Sequence, residues 1–176
     1  MVTLDKIALN TSSLAFTLGY KKNKKFKNKK PISIIKLLDK VKNSNLGGVE
    51  FPYFRFYKDL KNIKKIKNKL VSKNLFVILD SDEPISVQQI LKLIPVAKKL
   101  KTNFIRIKAS NILASERWKK KLDWKNYINF VILKLNSIKE VLKKHKLKIA
   151  IENHQDFDSY ELKHIIKKVG KDVIGI

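Results

Sequence analysis

The stretch that decides the fold is Phe104-Ile-Arg-Ile-Lys-Ala-Ser110. Successive side chains of a β-strand point to opposite faces, so Ile105 and Ile107 share one face while Arg106 and Lys108 share the other. A strand with this pattern has one apolar face to pack against helices and one face that carries charge.

A second stretch, Leu147-Lys-Ile-Ala-Ile-Glu-Asn-His154, repeats the pattern further along the chain. Ile149 and Ile151 share one face, and the opposite face carries Glu152 and, two residues further on, His154. Charged groups in the middle of two strands predict a sheet that is not packed against helices on both faces.

Short apolar runs of this kind alternate with segments of helical period along the whole chain. The runs are Ile7–Leu14, Gly47–Phe54, Leu75–Ser81, Phe104–Ser110, Leu147–His154 and Val173–Ile176. The segments between them carry apolar residues at helical spacing, namely Ile34, Leu38 and Val41; Leu60, Ile63, Ile66 and Leu70; Ile90, Ile94, Ala97 and Leu100; Trp124 through Leu142; and Leu162 through Val169. Strand followed by helix, five times over with a sixth strand begun, predicts a parallel sheet with helices outside it.

Two architectures fit this alternation, a doubly wound open sheet and a (β/α)8 barrel. A doubly wound sheet buries both faces under helices and favours strands that are apolar throughout. A barrel accepts polar side chains on its inner face near the mouth. The charged positions therefore favour an α/β fold of the incomplete (β/α)8 TIM-barrel type, with parallel strands 1–6 and outer helices 1–5.

The length of the chain is short for a barrel, because a complete (β/α)8 chain needs roughly 200 to 250 residues. The 176 residues end inside the apolar run Val173–Ile176. We therefore expect residues 1–176 to be a single partial TIM-barrel domain, truncated at the sixth strand. Unpaired edges on the first and sixth strands would favour association, so an oligomer is possible.

The composition bears on which kinds of site the chain can form and on where in the cell we expect it. The chain has no Cys, which excludes disulfides and thiolate zinc sites. Its N-terminus has no apolar segment of the signal-peptide type, and no run approaches the roughly 18 apolar residues of a membrane span. We expect a soluble, cytoplasmic protein that does not bind a membrane.

The charge is strongly basic, with 40 Lys+Arg against 15 Asp+Glu and a formal net charge of +25. Arginine, which reads bases and clamps phosphates through its planar fork, occurs only at Arg55, Arg106 and Arg117. Lysines spread along helix faces are typical of a solvated surface. We therefore expect no specific nucleic-acid partner.

Charged positions on the inner face of the predicted barrel suggest an internal ion pair. Glu50 lies between Val49 and Phe51 in the second strand, and Arg106 lies in the fourth. Strands two and four contribute to the same interior layers of a barrel. We expect the carboxylate of Glu50 to pair with the guanidinium of Arg106.

One segment resembles a known family. Ile149-Ala-Ile-Glu-Asn-His-Gln-Asp-Phe157, followed after a helix by Val169–Ile176, resembles the fifth to sixth strands of the xylose isomerase-like TIM barrels, the sugar phosphate isomerases and epimerases. Gly47-Gly-Val-Glu-Phe-Pro52 resembles the second strand of that family and Phe104–Ile107 the fourth. The resemblance covers the N-terminal five and a half βα units of such a barrel.

The resemblance implies a divalent metal, Mn²⁺, Mg²⁺, Co²⁺ or Zn²⁺, at the C-terminal mouth of the complete enzyme. Glu152 is the position that matches the fifth-strand ligand, and the ligands of the sixth, seventh and eighth strands would lie beyond Ile176. Glu152 is thereby the expected metal ligand and catalytic acid/base. His154, Arg106 and Glu50 are expected to contact the substrate or to support Glu152.

The function that the resemblance implies is metal-assisted proton transfer next to a carbohydrate carbonyl, by an isomerase or epimerase of a sugar or sugar phosphate. The alternatives are an inactive truncated remnant and a binding module. An endonuclease IV-like repair enzyme is less favoured, because its zinc cluster draws on early His residues and the first 144 residues contain none. We expect no isomerase turnover from the 176-residue chain alone.

Overall fold

The computed structural model describes residues 3–19, 30–52, 62–81, 83–117 and 122–176. Six strands are assigned there, in the order β1 to β6 along the sheet: β1 (Ala8–Asn10), β2 (Gly48–Pro52), β3 (Phe76–Ser81), β4 (Phe104–Lys108), β5 (Lys148–Glu152) and β6 (Ile174–Gly175). The helices are α1 (Ile34–Asn43), α2 (Ile63–Ser72), α3 (Val87–Leu100), α4 (Trp124–Ser137), α5 (Lys139–Lys144) and α6 (Ser159–Val169). Parallel strands in sequence order with helices between them confirm the predicted fold class, an incomplete (β/α)8 barrel.

The chain divides into two compact units. Unit 1 comprises Met1–Asp80 and Lys99–Thr102, and unit 2 comprises Ser81–Lys98 and Asn103–Ile176. The sequence-based expectation of one domain over residues 1–176 stays a prediction.

Unit 1 contains three parallel strands, β1, β2 and nearly all of β3. Every residue of β2 is buried, which matches its continuous apolar run around Glu50. Just before β2, the backbone at Gly47 lies very close to the backbone at Asp5. A Cβ on Gly47 would overlap the backbone carbonyl of Asp5. Outside the sheet, α1 packs against α2, and Asp39 on α1 pairs with Lys69 at 2.7 Å.

Unit 2 contains the parallel strands β4, β5 and β6. The predicted alternation is present in both longer strands, because Ile105, Ile107, Ile149 and Ile151 are buried while their neighbours in sequence are exposed or half-buried. In this unit α4 packs against α6.

The ends of two helices are fixed by capping residues close to them in sequence. Asp123 caps α4 by accepting from the backbone N–H of Asn126 at 3.1 Å. Asp158 and Glu161 form the capping box that opens α6, and Gly170 ends that helix at a φ of 120°. The long fourth helical segment is interrupted at Ile138, so that α4 and α5 are separate helices.

Some predicted positions cannot be compared. Phe54 at the end of the second apolar run and Leu60 at the start of the second helical segment lie outside the described residues.

Pro95 lies within α3, which is a single assigned helix from Val87 to Leu100. Among the described helices, none is both long and apolar enough to cross a membrane.

Candidate functional site

The central feature of unit 2 is an ion pair between neighbouring strands. Nη1 of Arg106 on β4 donates to Oε2 of Glu152, the last residue of β5. The register of the two strands explains the contact. Arg106 lies opposite Ala150, and Lys108 lies opposite Glu152. Glu152 is therefore the diagonal neighbour of Arg106, two positions further along the paired strand and on the same face. The Arg106 side chain is 15% exposed and that of Glu152 is 31% exposed. A carboxylate is thus held at the C-terminal end of the strand pair, where parallel α/β folds place their chemistry.

Unit 1 holds a buried carboxylate, on Glu50. Nδ2 of Asn10 donates to Oε1 of Glu50 at 2.7 Å, and the hydroxyl of Thr11 donates to the carbonyl oxygen of Glu50 at 2.8 Å. Asn10 stands opposite Glu50 in the register of β1 and β2. Asn10 is not among the residues predicted from sequence, although it lies within the first apolar run; it is the last residue of β1.

The expected ion pair of Glu50 with Arg106 joins residues of different units and stays a prediction. The partner described for Arg106 is Glu152, and the side-chain partner described for Glu50 is Asn10. His154, the third residue expected to support the site, is exposed just beyond β5. Its backbone N–H donates to Oδ1 of Asp156 at 3.2 Å.

Asp156 is fully buried, which the sequence did not predict. Its Oδ1 also accepts from the backbone N–H of Phe157 at 3.1 Å, so that one carboxylate oxygen shapes the loop after β5. Burial raises the pKa of the Asp156 carboxyl above its ordinary value, against the opposing effect of these backbone hydrogen bonds. From sequence, Asp156 is interpreted only as a turn residue, because its spacing carries no signal of burial.

Tyr127 on α4 forms a hydrogen bond to the segment that follows β4. The hydroxyl of Tyr127 on α4 donates to the carbonyl oxygen of Ala109, just after β4, at 2.9 Å. Burial raises the pKa of the Tyr127 hydroxyl, which therefore stays protonated and acts as a donor at neutral pH.

A cavity of about 630 Å³ lies between the loop that follows β4 and the loop that follows β5. Its wall includes Arg117 and Trp124 from the first loop and the start of α4, and Asn153, Gln155 and Phe157 from the second. The two loops are tied together where the backbone N–H of Ala114 donates to the carbonyl oxygen of Gln155 at 2.7 Å. Glu152, His154 and Arg106 do not line this cavity.

The divalent ion implied by the resemblance can be tested against the donors present. A metal site needs several oxygen or nitrogen ligands around one point. In the ranges that the structure describes, no group of three or more His, Asp or Glu side chains converges in this way, and Glu152 has a cation as its partner. The described residues do not fit a divalent ion, and the role of Glu152 as a metal ligand stays a prediction.

Comparisons by sequence give no match, neither to a protein-family model nor to a curated protein. Comparisons by structure do. The chain is similar to D-psicose 3-epimerase, crystallised in the presence of D-fructose, with a TM-score of 0.66 and 12% identity over 81% of this chain and 56% of that one. It is similar to a xylose isomerase-like TIM-barrel protein of Mycobacterium smegmatis in complex with magnesium, with a TM-score of 0.63 and 14% identity over 99% of this chain and 65% of that one.

A third similar structure is a xylose isomerase-like TIM barrel/4-hydroxyphenylpyruvate dioxygenase fusion protein, with a TM-score of 0.61 and 12% identity over 82% of this chain and 24% of that one. The chain thus spans less than two thirds of the length of each of these structures. At this identity the likeness is one of fold. The resemblance to xylose isomerase-like TIM barrels is confirmed at that level, and the structures it is confirmed against include a sugar epimerase.

Proposed function

We propose that this protein binds a sugar or sugar phosphate and acts in the isomerase or epimerase class, by proton transfer next to the sugar carbonyl. The observation that carries the proposal is the Arg106–Glu152 pair at the C-terminal ends of β4 and β5, in a chain with the fold of sugar epimerase-like barrels. In such folds the C-terminal strand ends are where catalytic groups collect.

The chemistry follows from what each side chain can do. Moving a proton at a carbon beside a carbonyl needs a base to remove it, a donor to return it, and positive charge near the enediolate oxygen. Glu152 is the base in this proposal, and its position is fixed by the guanidinium of Arg106. When Glu152 takes up the proton, its own negative charge is lost, and the charge of Arg106 then faces the oxygen on which negative charge develops.

Residues outside the pair have supporting roles in this proposal. The exposed imidazole of His154, two residues after Glu152, contacts substrate at the end of β5. The expected contact of Glu50 with substrate stays a separate prediction. The divalent ion, Mn²⁺, Mg²⁺, Co²⁺ or Zn²⁺, with Glu152 as a ligand, stays a separate prediction. No step above depends on it.

The test is the binding of sugars to the purified protein. Saturation-transfer difference NMR with D-fructose and D-fructose 6-phosphate should give saturable binding, and D-sorbitol, which lacks the carbonyl, should bind about tenfold more weakly. Glu152→Gln keeps the shape of the side chain and removes its charge, and it should weaken the binding of D-fructose. Equal binding of D-fructose and D-sorbitol, or no binding of either ketose, would contradict the proposal.

A further inference from the structure

Unit 1 contains a mostly apolar groove of about 470 Å³, a volume in the range of small-molecule sites. The groove lies between α1 and the segment that begins with β1. Leu9 contributes to it, and because side chains alternate along a strand, Leu9 lies on the opposite face of β1 from Asn10. The apolar residues of its wall are Leu9, Leu14, Ile32, Leu37, Val41 and Leu46.

Backbone hydrogen bonds hold the two sides of the groove together. The backbone N–H of Ile32, just before α1, donates to the carbonyl oxygen of Thr17 at 3.0 Å. The backbone N–H of Leu46, just after α1, donates to the carbonyl oxygen of Val41 at 3.3 Å. Four of the six apolar side chains are nevertheless only half-buried, namely those of Leu9, Leu14, Ile32 and Leu46. An apolar ligand that covers them would remove this surface from water.

The polar residues of the groove include one cation. Lys40 and Ser44 are four positions apart, so they lie on the same side of the C-terminal end of α1, and both are exposed. Asp39, the acid next to Lys40 in sequence, pairs instead with Lys69 at 2.7 Å and with Lys73 at 3.2 Å. In the described part of the chain, Lys40 has no carboxylate partner. Its ammonium group is therefore available to an anion at the edge of an apolar groove.

We propose that this groove binds the anion of a medium-chain fatty acid, at a site separate from the proposed catalytic pair and independent of it. The alkyl chain packs against the half-buried leucine and isoleucine side chains, and the carboxylate meets the ammonium group of Lys40 and the hydroxyl of Ser44. Six apolar side chains and few hydrogen-bonding groups suit an alkyl chain, and one unpaired cation suits one terminal carboxylate.

The test is a titration of ¹³C-methyl-labelled protein with decanoate, below the concentration at which decanoate forms micelles. The methyl signals of Leu14 and Ile32 should shift saturably, while those of Ile107 and Ile151 in unit 2 should not move. Each buried methylene contributes about fourfold to affinity, so hexanoate, which is four methylenes shorter, should bind about a hundredfold more weakly. Unmoved signals of Leu14 and Ile32, or equal binding of the two acids, would overturn the proposal.

A matched pair of variants tests the role of the charge. Wild-type protein should bind decanoate about threefold more tightly than 1-decanol, which lacks the carboxylate. Lys40→Gln should remove this preference. Lys36→Gln should keep it, because Lys36 is an exposed lysine of the same helix that does not line the groove. Equal effects of the two substitutions would show a general attraction of anions to a basic protein and would contradict the assignment to Lys40.

The competing occupant of the groove is a second copy of this chain. If the groove is free to bind a fatty acid, the methyl signals of Leu14 and Ile32 in ligand-free protein should not depend on protein concentration. Sedimentation velocity over the same concentration range should show a constant sedimentation coefficient. Signals of Leu14 and Ile32 that move as the protein associates would show that a second copy covers the groove, and the fatty-acid proposal would then be wrong.

Discussion

Arg106 on β4 and Glu152 at the end of β5 form an ion pair across two neighbouring parallel strands. Both side chains are only partly exposed, so removing one partner leaves the other charge in a site that water solvates poorly. This pair joins the side chains of the two strands and is the proposed reaction centre.

Arg106→Gln should lower the free energy of unfolding by about 1–3 kcal/mol, because the carboxylate of Glu152 loses its counter-charge. The measurement is urea denaturation of the wild type, Arg106→Gln, Glu152→Gln and the double variant. The double variant should be more stable than the sum of the single losses predicts, which is the signature of a direct interaction. Strictly additive losses would show that the two side chains do not interact.

Asp156→Asn should alter the pH dependence of stability. The pKa of Asp156 is raised by burial, so the folded state holds its proton at pH values where the unfolded state has lost it. The wild type therefore loses stability as the pH rises from the ordinary Asp pKa through the raised one. Asn keeps the acceptor oxygen for His154 and Phe157 and has no charge to bury, so the stability of the variant relative to wild type should increase from pH 4 to pH 7.

Asp39→Asn is the matched control for Asp156. Hydrogen bonds from Lys69 and Lys73 lower the pKa of the Asp39 carboxyl, so its stabilising effect is present above the ordinary Asp pKa and is lost as the pH falls through the lowered one. The Asp39 variant should therefore lose stability relative to wild type as the pH rises across that acidic range. The same pH trend in both variants, or none for Asp156→Asn, would refute the assignment.

Gly47→Ala should destabilise unit 1 strongly. The added Cβ would overlap the backbone carbonyl of Asp5, and a backbone atom cannot move aside as a flexible side chain can. We expect a loss of about 3 kcal/mol or more in thermal or urea unfolding. Gly175→Ala is the control, since nothing lies within 4 Å of the added Cβ, and it should be close to neutral. A Gly47→Ala protein as stable as Gly175→Ala would be inconsistent with this close approach.

Periodicity and capping chemistry are visible in sequence because they are local. The alternation of Ile105 and Ile107 with charged neighbours marked β4, and Asp158 followed by Glu161 marked the start of α6. Both features depend only on residues a few positions apart. For the same reason the alternation placed Arg106 and Glu152 on the polar faces of their strands.

Pairing across the chain is not visible in the same way. Alternation puts Arg106 on a polar face, but it does not say which carboxylate it meets, because that depends on the register of β4 against β5. The burial of Asp156 and the stacking of Arg117 on Trp124 depend on loop paths, for which sequence offers no period. The aromatic cavity could therefore not be predicted from the sequence.

The most direct test of the proposed function observes Arg106 itself while a sugar is added. The Nε–H signal of Arg106 in ¹⁵N-labelled protein should shift saturably with D-fructose in the wild type, and the shift should be lost in Glu152→Gln but kept in Asn153→Ala, which alters only the cavity. A signal from Arg106 that does not respond to D-fructose, or that responds equally in Glu152→Gln, would contradict a sugar site at this ion pair.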